Sequence, residues 1–446
     1  MSFSSLTIGS SALFAAQRAV EVAAHNVANA NTDGYTRQRL TISASQPTFG
    51  TPGSRGDGDR GTGVTVVSVQ RLRDRLADVS FRSEAGVSGA ASARAETLGR
   101  AESILGVYGD GAPEALSTFL SAWDQLALTP ADPAARASVL NSGQLLADSL
   151  SGADAKLTAV GEEVGLRVGD DVDEVNGLLA TVAKLNTDIQ RAQTSAREPN
   201  DLLDQRDTAL DRLAALTGAR IDTNADGTVT LTSGGVDLVR GDRAAVLTSS
   251  GSPVSVTVAG GGTVPLAGEI GGYVSVAAVD LPSYRAQLDD IARMLHDTVN
   301  TAHAAGLGTD GSTGSPFFSG TTAATIRVDP TLTTASLAAS VTGSSADGNN
   351  ALAIATALRS GSPTVGDTLR GLGSRIGQAT ANANRNAATQ RSSVVSAQAV
   401  RASADGVSVD EEMVDLVKYQ HSYEAAAKVI SIADGMLDKI INEMVR

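Results

Sequence analysis

The stretch that decides the organisation of this chain is HNVANANTDGYTRQRL, residues 25–40. Asn29, Asn31 and the pair Asp33–Gly34 are residue types that tolerate turns and left-handed backbone conformations. They are therefore predicted to end the helix that precedes them. Tyr35 is expected to pack its ring back on the helix end while its hydroxyl stays wet. Helix termination explains these polar residues better than catalysis does.

Upstream of this stretch, apolar residues recur with the heptad spacing of a coiled coil. Small side chains at alternate seam positions would let a partner helix approach closely. A single helix of this kind cannot bury its own apolar side, so we expect it to pair with another helix. The large residues of the pattern are Leu6, Leu13, Val20 and Val27, and the small ones are Gly9, Ala16, Ala23 and Ala30.

The C-terminus supplies a candidate partner, because a second pattern with steps of four and three residues begins at Val409. Ser408 and Glu411 fit the capping box that starts a helix. The acidic run 410–412 would then lie in the first turn, where the helix dipole favours anions. Pairing of the two terminal helices is expected, and separate packing of each helix on its own core stays open. The pattern comprises Met413, Leu416, Gln420, Tyr423, Ala427, Ile430, Asp434, Leu437, Ile441 and Met444.

Between the ends, the pattern is mainly helical with one β-rich section. Asp132 and Pro133 are typical of a helix start, and Gly218 is typical of a helix end. Residues 43–63 are rich in Gly, Ser and Pro and are predicted to form a linker, after which VTVVSVQRL alternates like a strand. Further helices are predicted at 282–305 and 365–404.

The predicted fold is mainly α, elongated and multi-domain. Residues 1–42 and 405–446 form a terminal coiled-coil domain, 43–218 and 280–404 form a helical body, and 219–279 form a small β-rich insert. Turn residues and a Gly-Ser-Thr composition suggest that the insert faces outward and tolerates replacement.

Composition excludes several classes of function. The net charge of −14 opposes binding to nucleic-acid phosphates, and the absence of cysteine excludes disulfides and thiolate metal sites. No apolar run approaches about 20 residues, so membrane insertion is not expected. The N-terminus lacks a basic leader followed by a continuous apolar core, which argues against a cleaved secretory signal. Export would therefore need another route.

Candidate chemical motifs are weak when they are tested singly. GDGDRG, residues 56–61, lacks the strand-then-helix setting of a dinucleotide site. The loop at 222–233 begins like a calcium site but ends in Ser233, so a hairpin turn is favoured. The acidic run at 169–175 is interpreted as a solvated helix face. No catalytic, cofactor or metal site is predicted, and the scattered histidines are interpreted as solvated or capping: His25, His296, His303 and His421.

The opening stretch also resembles a known protein family. HNVANANTDGYTRQ is similar to the N-terminal motif of the flagellar rod, hook and hook-associated proteins, and GYTRQ is most similar to members at the hook–filament junction. The stretches at 200–218, 281–306 and 409–444 resemble the body and C-terminus of the same members, whereas the β-rich insert matches loosely. The motif residues are Asn26, Asn29, Asn31, Thr32, Gly34 and Tyr35.

The resemblance implies a structural component of the bacterial flagellum that joins hook to filament in a helical lattice. Its implied partners are other copies of itself, the hook protein, the next hook-associated protein, the flagellar type III export apparatus and an export chaperone. Its implied location is extracellular. A rod or hook subunit and an enzyme on a flagellar scaffold remain alternatives. The expected assembly interface comprises Leu6, Leu13, Val20, Val27, Met413, Leu416, Tyr423, Ile430, Leu437 and Ile441.

Overall fold

The computed structural model describes residues 2–46, 61–105, 111–195 and 198–444. Within these ranges the chain is mainly α-helical, which confirms the predicted fold class. The helices are α1 Ser2–Ala28, α2 Arg75–Leu105, α3 Ala112–Leu128, α4 Pro133–Thr194, α5 Asn200–Thr217, α6 Glu269–Ser275, α7 Leu281–Ala304, α8 Asn349–Ser360, α9 Val365–Asp405 and α10 Val409–Met444. The strands are β1 Gln38–Ala44, β2 Val64–Arg71, β3 Arg220–Thr223, β4 Val229–Ser233, β5 Val236–Arg240, β6 Arg243–Ala244, β7 Leu247–Ser250, β8 Ser255–Val258, β9 Phe318–Ser319 and β10 Arg327–Val328.

The two terminal helices pack against each other along their length. Gly9 lies beside Ile430 and Asn26 lies beside Glu412, so α1 and α10 run antiparallel. A Cβ atom on Gly9 would lie 2.9 Å from Cγ1 of Ile430, which shows how closely the helices approach. Small side chains make this approach possible, and the buried ones are Ala15, Ala16, Ala19, Ala23, Ala426 and Ala433.

The helical body surrounds a core that contains the only tryptophan of the chain, Trp123. Its ring is fully buried beside Phe119, at 6.0 Å between ring centroids, and beside Phe317, at 5.6 Å. Phe317 and Phe318 come from the loop-rich segment that follows α7, so this segment contributes to the core. Aromatic clusters of this kind dominate the burial energy of a domain.

Helix ends in the body follow the sequence signals. The Asp132 side chain accepts a hydrogen bond from the Ala134 amide, and Pro133 opens α4. Gly218 ends α5 with a left-handed backbone at φ 61°. The predicted helices near 282–305 and 365–404 are confirmed as α7 and α9.

The β-rich section consists of an antiparallel sheet in the order β3-β4-β5-β6 and a separate β7–β8 hairpin. Both pack on α4 through buried apolar residues such as Leu231 and Leu247. From α4, the Asn186 side chain donates to the carbonyls of Val229 at 3.1 Å and Gly241 at 2.9 Å. One side of the section is therefore part of the body's core rather than an appended outer layer.

Several details differ from the sequence-based expectation. Residues 269–275 form α6 and residues 276–280 a π-helical turn, where strand-like composition had been expected. Gly272 allows α6 to pack closely on α2, because a Cβ at this position would lie 2.4 Å from the Ala90 carbonyl oxygen of α2. Ser43 and Ala44 belong to β1 rather than to a linker. Most of that linker, residues 47–60, and the GDGDRG motif up to position 60 lie outside the described residues.

Two polar residues are buried although His303 was expected to be solvated or to cap a helix and Asp171 was expected in solvent. His303 is 1% exposed, contacts the Ser315 carbonyl through Nδ1 at 2.7 Å and accepts from the Ala338 amide through Nε2 at 2.9 Å. Burial lowers its pKa, so it is a neutral core residue rather than a solvated one. Asp171 in the acidic run is 8% exposed, and its Oδ2 has no hydrogen-bond partner.

Asp171 lies among charges from three helices, namely Arg167 and Glu174 on α4, Arg212 on α5 and Glu269 on α6. Burial, reinforced by Glu269, raises the pKa of its carboxyl group to about 6. The interpretation of residues 169–175 as a solvated helix face is therefore wrong at Asp171. The hairpin turn at the calcium-like loop is confirmed, since β3 and β4 pair on either side of it.

Candidate functional site: the polar joint of the terminal helices

A cluster of polar side chains connects the two terminal helices where α1 ends, and we call it the polar joint. At its centre is Asn26, which is 1% exposed. Its Nδ2 donates to the Gln38 carbonyl at 2.8 Å and to Oε2 of Glu412 at 2.9 Å. Its Oδ1 accepts from the Tyr35 hydroxyl at 2.7 Å and from the Gln38 amide at 3.0 Å. The joint consists of Asn26, Tyr35, Arg37, Gln38, Glu411 and Glu412.

Because both donors and both acceptor sites of the Asn26 amide are used, this residue fixes the start of α10 and the start of β1 to the end of α1. A buried side chain saturated in this way is costly to replace, since each partner left unpaired in the interior loses its hydration without compensation.

Arg37, the residue just before β1, forms ion pairs with the first turn of α10. Its Nε lies 2.6 Å from Oε1 of Glu412, and its Nη1 lies 2.9 Å from Oε2 of Glu411. Burial by itself lowers the Arg37 pKa, but the Glu412 and Glu411 carboxylates more than offset this, so the pKa lies above its ordinary value. Ser408 caps α10 weakly, with its Oγ 3.5 Å from the Glu411 amide nitrogen. The carboxylates of this acidic first turn therefore bind Arg37, and they also interact favourably with the helix dipole.

The turn between α1 and β1 has the form that the sequence predicts. The helix ends at Ala28, and the Asn29 side chain donates to the His25 carbonyl at 3.0 Å. Thr32 donates to the Asn29 side chain at 3.2 Å, and Asn31 is exposed beside it. Gly34 has φ 80°, and a Cβ there would lie 2.3 Å from Oγ1 of Thr208 on α5. Glycine is therefore needed both for the backbone conformation and for contact with the body.

Tyr35 differs from the expectation of a wet hydroxyl. The side chain is half-buried, and its hydroxyl donates to Asn26 instead of projecting into solvent. Burial, together with the nearby Asp204, Asp201 and Glu412 carboxylates, raises the pKa of this phenol well above its ordinary range. Tyr35 therefore stays a neutral hydrogen-bond donor within the joint.

A second cluster of charged side chains connects the polar joint to the helical body. Asp207 on α5 accepts from Arg71 at 2.9 Å, from Arg73 at 2.7 Å and from Arg82 at 3.1 Å. Burial opposes ionisation of Asp207, but the three guanidinium groups outweigh it and lower its pKa. We call this the arginine–aspartate cluster, and its members are Arg71, Arg73, Arg82, Arg401, Asp78, Asp204, Asp207 and Asp211.

The two clusters meet at Thr36, whose amide donates to Oδ2 of Asp204 at 3.3 Å. The cluster joins β2, α2, α5 and α9, since Arg401 of α9 contacts Asp211 of α5 at 2.6 Å. A chain of buried polar contacts therefore runs from the terminal pair into the body, which makes the relative orientation of the two parts well defined.

Sequence analysis missed most of this site. The opening stretch predicts a helix end, and nothing in it assigns a role to Arg37. A usable signal existed in α5, where Asp204, Asp207 and Asp211 recur at steps of three and four on one side of the helix. Their partners lie far away in sequence, at positions 71 to 82 and at Arg401, so only the fold brings them together.

The predicted interface residues lie beside the α1–α10 seam rather than at its centre. Leu6, Leu13, Val20, Val27, Leu416, Ile430 and Leu437 are half-buried, whereas Met413 is 48% and Tyr423 is 41% exposed. On α10 the buried positions are Glu412, Ala426 and Ala433, which lie one residue before the expected line through 413, 427 and 434. Ile441 lies outside the residues whose side chains are described, and the assembly role of the set stays a prediction.

Nothing in the described part of the chain forms a metal site, because no three His, Asp or Glu side chains there are grouped suitably. None of the helices in the same ranges is long and apolar enough to cross a membrane. What the described polar clusters do is hold helices in a fixed relation, which is the chemistry of a structural connection.

Three family models match the chain in the order of its parts. Residues 6–36 match the flagella basal body rod protein family, and residues 402–443 match the C-terminal family of the flagellar basal body rod FlgEFG proteins. Residues 98–318 match the helical domain of the flagellar hook-associated protein FlgK. The terminal matches coincide with α1 and α10, and the central match covers much of the body.

Individual relatives agree with these models. Flagellar hook-associated protein 1 of Bacillus subtilis is 29% identical, over 99% of this chain and 98% of its own length. The Salmonella typhimurium protein of the same name is 30% identical over 69% of this chain, which spans 58% of that relative. The flagellar hook junction protein FlgK from Burkholderia pseudomallei has a similar structure, with a TM-score of 0.50 and 25% identity over 54% of this chain and 46% of that one.

A paired set of terminal helices joined to a helical body, with rod-family matches at both ends, defines a flagellar axial protein. The match of the body to the hook-associated helical domain then narrows the class of axial protein. The chain belongs to the flagellar hook-associated protein 1 family, which confirms the resemblance found in the opening stretch.

Proposed function

We propose that this protein is a structural subunit of the bacterial flagellum at the junction between hook and filament. The observation that carries the proposal is the polar joint, which fixes the terminal pair to a body of the hook-associated type. The terminal pair assembles with other axial subunits into an inner lattice. The body extends from this lattice toward the outer surface of the flagellum. The three-part division of the chain into terminal domain, body and β-rich section belongs to this proposal.

The family places its partners among other flagellar axial proteins. Other copies of the chain, the hook protein and the next hook-associated protein are the partners we propose. Export through the flagellar type III apparatus with a chaperone, and a final extracellular location, follow from the same proposal. In this proposal the protein acts without catalysis, since the buried polar groups of the polar joint and of the arginine–aspartate cluster connect helices to one another.

A rod or hook subunit is the second candidate, since the terminal matches carry rod-family names. The central match to the hook-associated helical domain, over residues 98–318, favours the junction subunit. The two candidates differ in what remains when the protein is removed.

The test is deletion of the gene in the native host. A junction subunit predicts intact hooks, no filaments and filament protein released into the medium. Loss of hooks as well as filaments would indicate a rod or hook subunit, and normal filaments would refute both roles. Restoration by the parent gene supplied in trans controls for effects on neighbouring genes.

A further inference from the structure

The antiparallel pair β1–β2 has two outer edges, and side chains cover the edge of β2. The Val69 amide donates to Oε1 of Glu198 at 2.5 Å, and the Val69 carbonyl accepts from Nδ2 of Asn200 at 2.9 Å. Further along the same edge, the Val64 amide donates to Oγ of Ser11 at 3.2 Å. An uncovered strand edge is a template for pairing with another chain, and these side chains block pairing along β2.

On β1, only the first outward-facing residue is covered. Antiparallel pairing alternates, so every second residue directs its amide and carbonyl away from the partner strand. Gln38 is such a residue, and both of its backbone groups bond to the Asn26 side chain. Leu40 is the next one, because it lies opposite Val69, whose backbone groups also point away from the pair.

Three residues form what we call the open edge of β1, namely Leu40, Ile42 and Ala44. The alternation continues past Leu40 because the bulge in this pair places its extra residue in β2. Among the described residues, none forms a hydrogen bond with the outward amides and carbonyls of these three. Ile42 is 54% exposed, and a groove of about 280 Å³, lined by Leu40 and by Tyr419 of α10, leaves space beside the strand. Another strand can therefore add to β1 here.

Strand β3 has a second uncovered edge, because it lies at the border of the sheet β3-β4-β5-β6 and most of its residues are exposed. Val229 of β4, opposite Thr223, bonds through its amide and carbonyl to Asn186, so the backbone groups of Thr223 and Val229 point away from each other. By alternation the backbone groups of Ile221 also point away from β4. No hydrogen bond reaches these outward groups from elsewhere in the described chain. We call Ile221 and Thr223 the open edge of β3.

The two open edges carry charges that are poorly matched within the chain. Arg39 on β1 is exposed and has no ion partner among the described residues. Asp222 on β3 pairs with Arg220 of its own strand at 3.0 Å, and both side chains are more than half exposed. Exposed pairs of this kind hold their partners weakly, so the Asp222 carboxylate is available to an incoming guanidinium group.

We propose that the open edge of β1 in one copy pairs with the open edge of β3 in a second copy of this chain. The proposal rests on the proposed lattice function, which brings copies together, and adds the two surfaces and their register. Strand β3 fits because it is extended, exposed and carries a carboxylate. A helix would leave the edge of β1 unpaired, since its own amides and carbonyls bond internally. Because the two edges differ, each copy keeps one of each free, and the contact repeats into a ring or a helix.

One antiparallel register uses both open edges, with Ile42 opposite Ile221 and Leu40 opposite Thr223. In this register the two residue pairs exchange four backbone hydrogen bonds, which is the full capacity of their outward amides and carbonyls. The new strand pair then joins the β1–β2 pair of one copy to the four-stranded sheet of the other.

Cysteine cross-linking tests this register directly, because the chain has no cysteine of its own. Ser43 lies opposite Arg220 of the second copy in a pair without mutual hydrogen bonds, where cross-strand side chains are closest. Both residues are exposed, and their side chains take no part in the four backbone bonds. Flagella from the deletion strain carrying Ser43→Cys with Arg220→Cys are oxidised and separated without reductant. We expect covalent ladders beyond a dimer, and no product from either single variant.

The matched control is Ser43→Cys with Arg243→Cys, since Arg243 is exposed on β6 at the opposite border of the same sheet. This control should give no ladder. Ladders from the control, or dimers from Ser43→Cys alone, would overturn the proposal. So would the absence of ladders from a Ser43→Cys, Arg220→Cys variant that restores filaments.

A charge exchange provides an independent measurement, because in this register Arg39 lies diagonal to Asp222, within reach of its long side chain. Arg39→Asp and Asp222→Arg should each lower filament number about fivefold or more, since each places like charges at a contact that recurs in every copy. The double variant restores an opposite pair and should return filament number close to the parent's. Single variants at the parent level, or a loss that the double variant does not reverse, would overturn the pairing. Purified single variants should keep the parent's circular dichroism, which excludes misfolding.

Failure of this pairing and failure of the proposed function are distinguishable. If deletion of the whole gene left filaments normal, the proposed function itself would fail. If deletion abolishes filaments and both measurements above fail, only the pairing of β1 with β3 is overturned.

Discussion

Replacement of Asn26 tests the polar joint most sharply. Asn26→Ala removes four hydrogen bonds, two donated and two accepted, at distances of 2.7 to 3.0 Å. At about 1 kcal/mol for each bond, the attachment of the terminal pair should weaken by about 4 kcal/mol. The Tyr35 hydroxyl and the Gln38 backbone groups would be left without these partners in a buried site, so full compensation by water is not expected.

Two optical probes separate the terminal pair from the body. Fluorescence of Trp123, the only tryptophan, reports unfolding of the body core. Far-UV circular dichroism reports all helices, including the 27 residues of α1 and the 36 residues of α10. In Asn26→Ala we expect an early loss of helical signal at a lower temperature than in the parent, followed by a Trp123 transition close to the parent's.

Asn29→Ala is the matched control, because Asn29 donates one bond to the His25 carbonyl at the exposed end of the helix. Its effect should be about 1 kcal/mol or less. The reasoning is refuted if Asn26→Ala and Asn29→Ala melt alike by both probes, or if Asn26→Ala shifts the Trp123 transition as much as the early one.

Three further outcomes follow from the described contacts. Asp207→Asn removes the carboxylate that three largely buried arginines share, and it should destabilise the body by about 3–5 kcal/mol in denaturant titration. Asp290→Asn is the control, because it removes an exposed ion pair and should cost less than about 1 kcal/mol. Asp171→Asn should stabilise the body by up to about 3 kcal/mol above pH 7 and leave it unchanged near pH 3. The sign follows because the folded-state pKa of about 6 lies above the ordinary value of 3.8, so the parent loses stability as pH rises through 6; an equal gain at both pH values would contradict it. Replacing residues 220–258 by a Gly-Ser linker should lower the Trp123 transition, because Leu231 and Leu247 are buried in the core beside α4; an unchanged transition would restore the sequence-based expectation of a tolerant insert.

The parts of the fold that depend on local signals were predictable. Asp132 with Pro133 begins α4, and Gly218 ends α5, because capping involves neighbours within a few residues. The pairing of the termini also followed from heptad spacing. The buried line on α10 lies one residue before the expected one, through Glu412, Ala426 and Ala433, and its two alanines let α1 approach closely.

The parts that depend on distant partners were not predictable. Strand β1 gains its stability from pairing with β2 and from packing on α1. Nothing in the sequence around His303 marks it as a buried residue. Only the fold places it between the Ser315 carbonyl and the Ala338 amide. The same holds for Asn26, whose partner Glu412 is 386 residues away.

The central claim is that the terminal helices carry assembly while the body folds by itself, and Ile430→Asp tests it most directly. Ile430 is half-buried beside the seam, and a Cβ atom added to Gly9 would lie 2.9 Å from its Cγ1. A charge there should prevent incorporation, because an unpaired carboxylate is costly in an apolar seam. The measurement is filament number in the native deletion strain carrying this variant, beside the Trp123 transition of the purified protein. We predict no filaments and a body transition at the parent's temperature; restored filaments, or a collapsed body transition, would contradict the claim.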